Sequence, residues 1–83
     1  MAALLLLGRP GCHLCEQLAA ELLTAFPALA TQISEADVDS CEEWQRRFGL
    51  KIPVLLDATD GEPVCSTFFD ADAVAEWVKD RGL

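Results

Sequence analysis

The chain has 83 residues, 52% of them hydrophobic, and a formal charge of −8. That length fits one small domain over residues 1–83 with a single core, although chains of this size bury only a modest share of their surface. The acidity argues against a nucleic-acid or anionic-membrane partner, and no apolar run approaches the roughly 20 residues of a transmembrane helix.

Ala2 to Leu7 is a continuous apolar run, suited to a strand covered on both faces, and Gly8-Arg9-Pro10-Gly11 closes it. From Cys12 to about Ala25 the pattern turns helical. Leu14, Leu18, Leu22 and Ala25 or Phe26 form the apolar stripe, with Leu14 expected in the core, and Pro27 stops the helix. Gln32 to Val38 reads as a second strand. Ser40 and Glu43 then form a capping-box signature for a helix from Cys41 to Phe48, with Trp44 and Phe48 inward and Gly49 as its stop. Ile52 to Leu56 is a third strand with proline near its start. Asp60-Gly61 signals a hairpin into a fourth strand at about Pro63 to Phe68. Asp70 is a good N-cap for a last helix, Ala71 to Lys79, whose stripe is Val74, Trp77 and Val78.

The order is β-α-β-α-β-β-α. A strand–helix–strand unit gives parallel strands with a right-handed crossover, and the tight turn makes the last two antiparallel. The expected fold is α/β: a four-stranded mixed sheet flanked by three helices.

The four cysteines allow three readings. A secreted disulfide scaffold needs a leader, but Met1 to Leu7 has no basic residue and too short an apolar stretch. A four-thiolate zinc site needs a second close pair, whereas Cys41 and Cys65 stand far apart. The third reading, a dithiol–disulfide centre in a cytoplasmic protein, is favoured. Cys12 and Cys15 lie about one turn apart at a helix start, where unpaired N–H groups favour a thiolate.

Cys12 is the candidate nucleophile. At an ordinary pKa of about 8.5 only about 3% would be thiolate at pH 7, and the helix terminus and Arg9 would raise that fraction. Cys15, one turn in, fits a resolving thiol. His13, the single histidine, either tunes Cys12 electrostatically or is a plain surface residue, since adjacent helical residues point about 100° apart. Arg9 and Lys51 flank the site; they either take a carboxylate of glutathione or of an acidic partner, or are solvated loop charges. Cys41 and Cys65 have no close partner in sequence, and Cys65 is expected in the core.

The element order, the dithiol and Ile52-Pro53 before the third strand resemble the glutaredoxin branch of the thioredoxin superfamily over essentially the whole chain. Arg9-Pro10-Gly11-Cys12-His13-Leu14-Cys15, Asp37-Val38-Asp39 and Gly49-Leu50-Lys51-Ile52-Pro53-Val54-Leu55 look like a small bacterial glutaredoxin-like family. The resemblance implies a cis peptide bond at Pro53, with Ile52 offering its N–H and C=O to an extended substrate. It also implies a monomer with no bound cofactor or metal, acting on a disulfide-containing protein or small thiol, with glutathione as a candidate reductant. Two stretches depart from the glutaredoxin pattern. His13-Leu14 replaces Pro-Tyr between the cysteines, and Thr67-Phe68-Phe69-Asp70 stands where Gly-Gly and an acidic pair help hold glutathione.

Thiol–disulfide exchange through Cys12 and Cys15 is the leading expectation. A non-catalytic adaptor using the surface around Phe68-Phe69 is the alternative. A metal or iron–sulfur carrier comes third, because such carriers more often keep a single site cysteine.

Overall fold

The computed structural model describes residues 2–82; Met1 and Leu83, the ends of the expected domain, lie outside the described residues. β1 (Leu4–Gly8) is one of the two inner strands, and the sheet order is β2-β1-β3-β4. β2 (Ile33–Asp37) runs parallel to β1, with Leu4 opposite Ile33 and Gly8 opposite Asp37. On the other side β3 (Val54–Asp57) runs antiparallel, with Leu4 opposite Asp57 and Leu7 opposite Val54. β4 (Pro63–Ser66) pairs antiparallel with β3, with an irregularity at Leu55/Leu56.

Strand alternation divides the apolar run of β1 between two layers. Leu4 and Leu6 join Leu55, and onto them pack Leu18 and Leu22 of α1 (His13–Ala25) and Val74 and Trp77 of α3 (Ala71–Arg81). Leu7 faces the other way, into a cluster with Val38, Val54, Leu56 and Phe48, the last from α2 (Glu42–Phe48). The core is therefore two layers with the sheet between them, rather than the single mass the composition suggested. Completely burying one of these leucines contributes about 1.5–3 kcal/mol.

Several boundaries move for identifiable reasons. Pro53 has no N–H to give the ladder, and β3 begins at Val54, two residues later than expected. Thr67 takes a left-handed backbone (φ 69°), which ends β4 at Ser66 rather than at Phe68. Short 3-10 turns occupy Pro27–Thr31 and Val38–Ser40, so β2 stops at Asp37 and Val38 enters the core from a turn. The Ser40 capping box does not form. The Ser40 hydroxyl donates to Asp37 O (2.6 Å), closing the turn, and Cys41 becomes the N-cap of α2 without a side-chain bond. At α3 the cap is as expected: Asp70 accepts from the Ala73 N–H at 3.1 Å, and the helix runs two residues past Lys79 before Gly82 ends it in the left-handed region (φ 71°).

Leu14 is 44% exposed, a correction to its expected core position. Cys15, Leu18, Ala19, Leu22 and Phe26 form the face of α1 that meets the sheet layer, and Leu14 lies beside that stripe in the first turn. The inward slot of that turn is taken by Cys15, close over Gly8.

Candidate redox site

Of the four connections at the end of the sheet where β1 and β2 finish and β3 begins, three build the dithiol site, β1–α1, α2–β3 and β4–α3, and the fourth, β2–α2, supplies Asp39. The first carries the cysteines. Arg9-Pro10-Gly11-Cys12 is a turn closed by the Cys12 N–H on Arg9 O at 3.2 Å. Proline stands second and Gly11, at φ 79°, third, the requirement of a type II turn. This turn sets Cys12 as the N-cap of α1, and its Sγ accepts the Cys15 N–H at 3.1 Å. Cys12 and Cys15 form a disulfide with their Cα atoms 5.2 Å apart. Both are partly exposed. In the reduced protein the same N–H and the helix terminus would stabilise a Cys12 thiolate.

Gly8 is a site residue that composition and spacing did not reveal. A Cβ at this position would lie 2.8 Å from Cys15 Sγ and 3.2 Å from its Cβ. The absent side chain is what lets the inner cysteine rest on β1. A glycine ending an apolar strand just before C-x-x-C was the available signal, but it reads equally well as a turn former.

The α2–β3 connection brings Lys51, Ile52 and Pro53 alongside, since Val54 pairs with Leu7. The Ile52–Pro53 bond is cis. Among the described residues no hydrogen bond uses the Ile52 N–H or C=O. Thr67 from the third connection fixes this segment twice: its N–H donates to Pro53 O (2.6 Å) and its hydroxyl to Lys51 O (3.0 Å). A β-branched residue at positive φ is a genuine outlier, and these two bonds hold it there. Thr67 is a second residue the sequence reading missed.

Arg9 does not present the free cation expected of it. Its guanidinium donates to both carboxylate oxygens of Asp39 (2.8 and 3.0 Å) and to Gly49 O (2.7 Å). The hydrogen bonds from Arg9 hold the Asp39 carboxyl below its ordinary range, and Gln45 adds a further bond at 3.1 Å. Arg9 thus ties the cysteine turn to the end of α2. The backbone of Gly49 lies against Gln45 O, leaving no room there for a Cβ. Lys51 is exposed and has no carboxylate partner among the described residues. His13 points into solvent, its side chain 97% exposed, with Glu16 3.8 Å away rather than either sulfur.

Phe69 packs against Phe26, edge to face at 6.4 Å, while Phe68 is 71% exposed. Leu50 is fully exposed. Of the two free cysteines, Cys65 sits at the edge of the α1–α3 layer, where burial pushes its thiol up. Cys41, at the start of α2, is half-buried and free. Among the described residues, no three of His, Cys, Asp and Glu converge as metal ligands, and no helix is long and apolar enough to cross a membrane.

Comparison with known proteins agrees with this geometry. No curated protein matches the chain. The solution structure of protein Ne2328 from Nitrosomonas europaea is 28% identical, with 89% of this chain and 87% of that one covered and a TM-score of 0.78. The X-ray structure of protein XcR50 from X. campestris is 33% identical over 94% of this chain and 97% of that one, with a TM-score of 0.67. Residues 3–79 match the family described as Glutaredoxin-like domain (DUF836). The dithiol turn, the sheet order and the Ile52–Pro53 segment are thus carried by a chain that belongs to the glutaredoxin-like domain family.

Proposed function

We propose that the protein is a thiol–disulfide oxidoreductase in which Cys12 is the nucleophile and Cys15 the resolving thiol. The observation that carries the reading is Cys12 at the N-cap of α1, its sulfur accepting the Cys15 N–H. That position supports a lowered thiol pKa and an outward nucleophile, while Cys15 lies inward over Gly8. Reduced Cys12 would attack one sulfur of a substrate disulfide, releasing one thiolate and leaving a mixed disulfide. Cys15 would then attack Cys12 Sγ, release the second thiolate and close the ring, so two electrons pass from the protein to the substrate. A two-electron dithiol or thiol reductant restores the pair. Ile52, with its unused N–H and C=O beside the dithiol, would hold an extended segment of the substrate. A reducing compartment such as the cytoplasm suits this cycle.

Single-turnover reduction of a peptide disulfide tests it. Cys12→Ser should abolish the reaction, and Cys15→Ser should stop it at a mixed disulfide seen by mass. Equal activity of wild type and Cys12→Ser would overturn the reading. Retained binding of a protein partner by a double Cys12→Ser, Cys15→Ser variant would instead favour the adaptor reading, which the exposed Phe68 and Leu50 support.

A further inference from the structure

The dithiol forms one wall of an open cleft of about 350 Å³ that runs toward the edge strand β2. Three carboxylates line it: Glu16 from α1, and Glu35 and Asp37 from the face of β2 turned toward α1. Glu35 has no hydrogen-bond or ion-pair partner among the described residues. The single cation lining the cleft is Arg9, which is already spent on Asp39. The hollow of about 540 Å³ on the β4–α3 side repeats the sign, with Asp70 and Asp72 beside Phe68. There Asp70 fills the N-cap of α3, the place where an external carboxylate would otherwise be welcome. Lys51 is left as the one unpaired cation of the connections that meet at the dithiol.

We infer that the disulfide exchanged at this site is carried by a protein segment with lysine or arginine beside its cysteine. The inference rests on the oxidoreductase reading and names its substrate class. The disulfide makes the cleft a site; the carboxylates decide which disulfide approaches it. Oxidised glutathione, with four carboxylates and two ammonium groups, is repelled, whereas a basic segment is drawn in. A chain segment, rather than a small disulfide, also fits the exposed Leu14, Leu50 and Phe68 around the pair and the unused backbone groups of Ile52. Electrons balance as in the cycle above: each substrate disulfide becomes two thiols while Cys12 and Cys15 become one disulfide.

The test uses the full chain, reduced with dithiothreitol and then desalted. The probes are disulfide-linked dimers of a short capped peptide whose cysteine is flanked by Lys, Gln or Glu, with oxidised glutathione alongside. Oxidation of the protein is stopped by acid and read by mass after alkylation, and each rate is divided by that of dithiothreitol with the same probe. At low ionic strength the Lys dimer should react at least about tenfold faster than the Glu dimer, with Gln between. In about 0.5 M salt, where the Debye length is only about 4 Å, the ratio should fall severalfold. Glu35→Gln should lower the low-salt ratio and Glu35→Lys should lower it most. Glu16→Gln gives a second reading on an exposed helical position should the β2 variants fail to fold. A Glu dimer or oxidised glutathione as fast as the Lys dimer, or a ratio indifferent to salt and to these variants, would overturn the inference while leaving the oxidoreductase reading intact. Failure of all four probes to oxidise the protein would overturn both.

Discussion

Two arginine–aspartate pairs sit at opposite ends of the sheet, and they are built differently. At the far end Asp57, opposite Leu4, is buried; it accepts the Trp77 Nε1–H at 2.9 Å and the Thr59 N–H at 2.8 Å, and it pairs with Arg81. No buried side-chain polar atom among the described residues lacks a partner. At the dithiol end Arg9 and Asp39 make a bidentate pair of good geometry but remain in water. A buried carboxylate is held by everything around it, because an unpaired charge or donor there is costly. An exposed pair contributes little and yields easily. The far end thus anchors α3 to the sheet, and the dithiol end keeps its loops in register while leaving the sulfurs accessible.

The largest expected break in this contrast is Asp57→Ala. It leaves the Trp77 N–H and the Thr59 N–H without their acceptor and should destabilise the fold by about 2–4 kcal/mol, measured by urea denaturation. Rates per folded molecule at the dithiol should stay at the wild-type level, because the lesion is at the other end. Next comes Gly8→Ala. The added methyl meets Cys15, which cannot leave without giving up its place against β1, so a cost of about 1–3 kcal/mol is expected. Unlike Asp57→Ala, it should also slow ring closure by Cys15, read as accumulation of mixed disulfide. If both variants affect stability alone, the separation of the two ends is wrong.

Thr67 probes a smaller effect within the dithiol end. Thr67→Val keeps the positive-φ strain but loses the hydroxyl bond to Lys51 O, and about 1 kcal/mol of destabilisation should appear in thermal unfolding. Thr67→Gly loses the same bond but relieves the backbone, at about 1 kcal/mol or more, and should stay close to wild type. The smallest effect belongs to Asp39→Asn. Arg9 lowers the folded-state pKa of Asp39, so its contribution is present above the unfolded carboxylate range and is lost as pH falls through the lowered folded value. The stability difference between wild type and Asp39→Asn should therefore be small at pH 7 and vanish in strong acid. A difference that grows toward low pH would contradict the pairing.

Local signals were legible where one residue and its immediate neighbours settle the outcome. Asp70 caps α3, Pro27 ends α1, Asp60-Gly61 turns the hairpin with Gly61 at φ 72°, and the cysteines fall at the start of α1. The capping box failed because Ser40 ends the 3-10 turn, its hydroxyl donating back to Asp37 O, and the N-cap of α2 shifts to Cys41, so Ser40 is not placed to accept the Glu43 N–H. Leu14 failed because periodicity gives a stripe but not its phase relative to the sheet edge. Arg9 looks free in the sequence because its partners, Asp39 and Gly49, are 30 and 40 residues away. Gly8 and Thr67 were silent for a related reason: each matters through a neighbour distant in sequence or on another element.

By itself the sequence determined the order of elements, the packing of the β1 leucines, Leu4 to Leu7, on both faces of the sheet and the placement of Cys12 and Cys15 at a helix start. Those outcomes follow from side-chain periodicity, cap chemistry and backbone preferences, which act over a few residues. Tertiary structure alone decided that Cys15 rests over Gly8, that Arg9 is spent on Asp39, that Asp57 meets Trp77 and Arg81, and that the cleft beside the dithiol is walled by carboxylates. These depend on which strand lies beside which and on how far each helix overhangs the sheet, quantities fixed only when the two core layers close on both faces of β1.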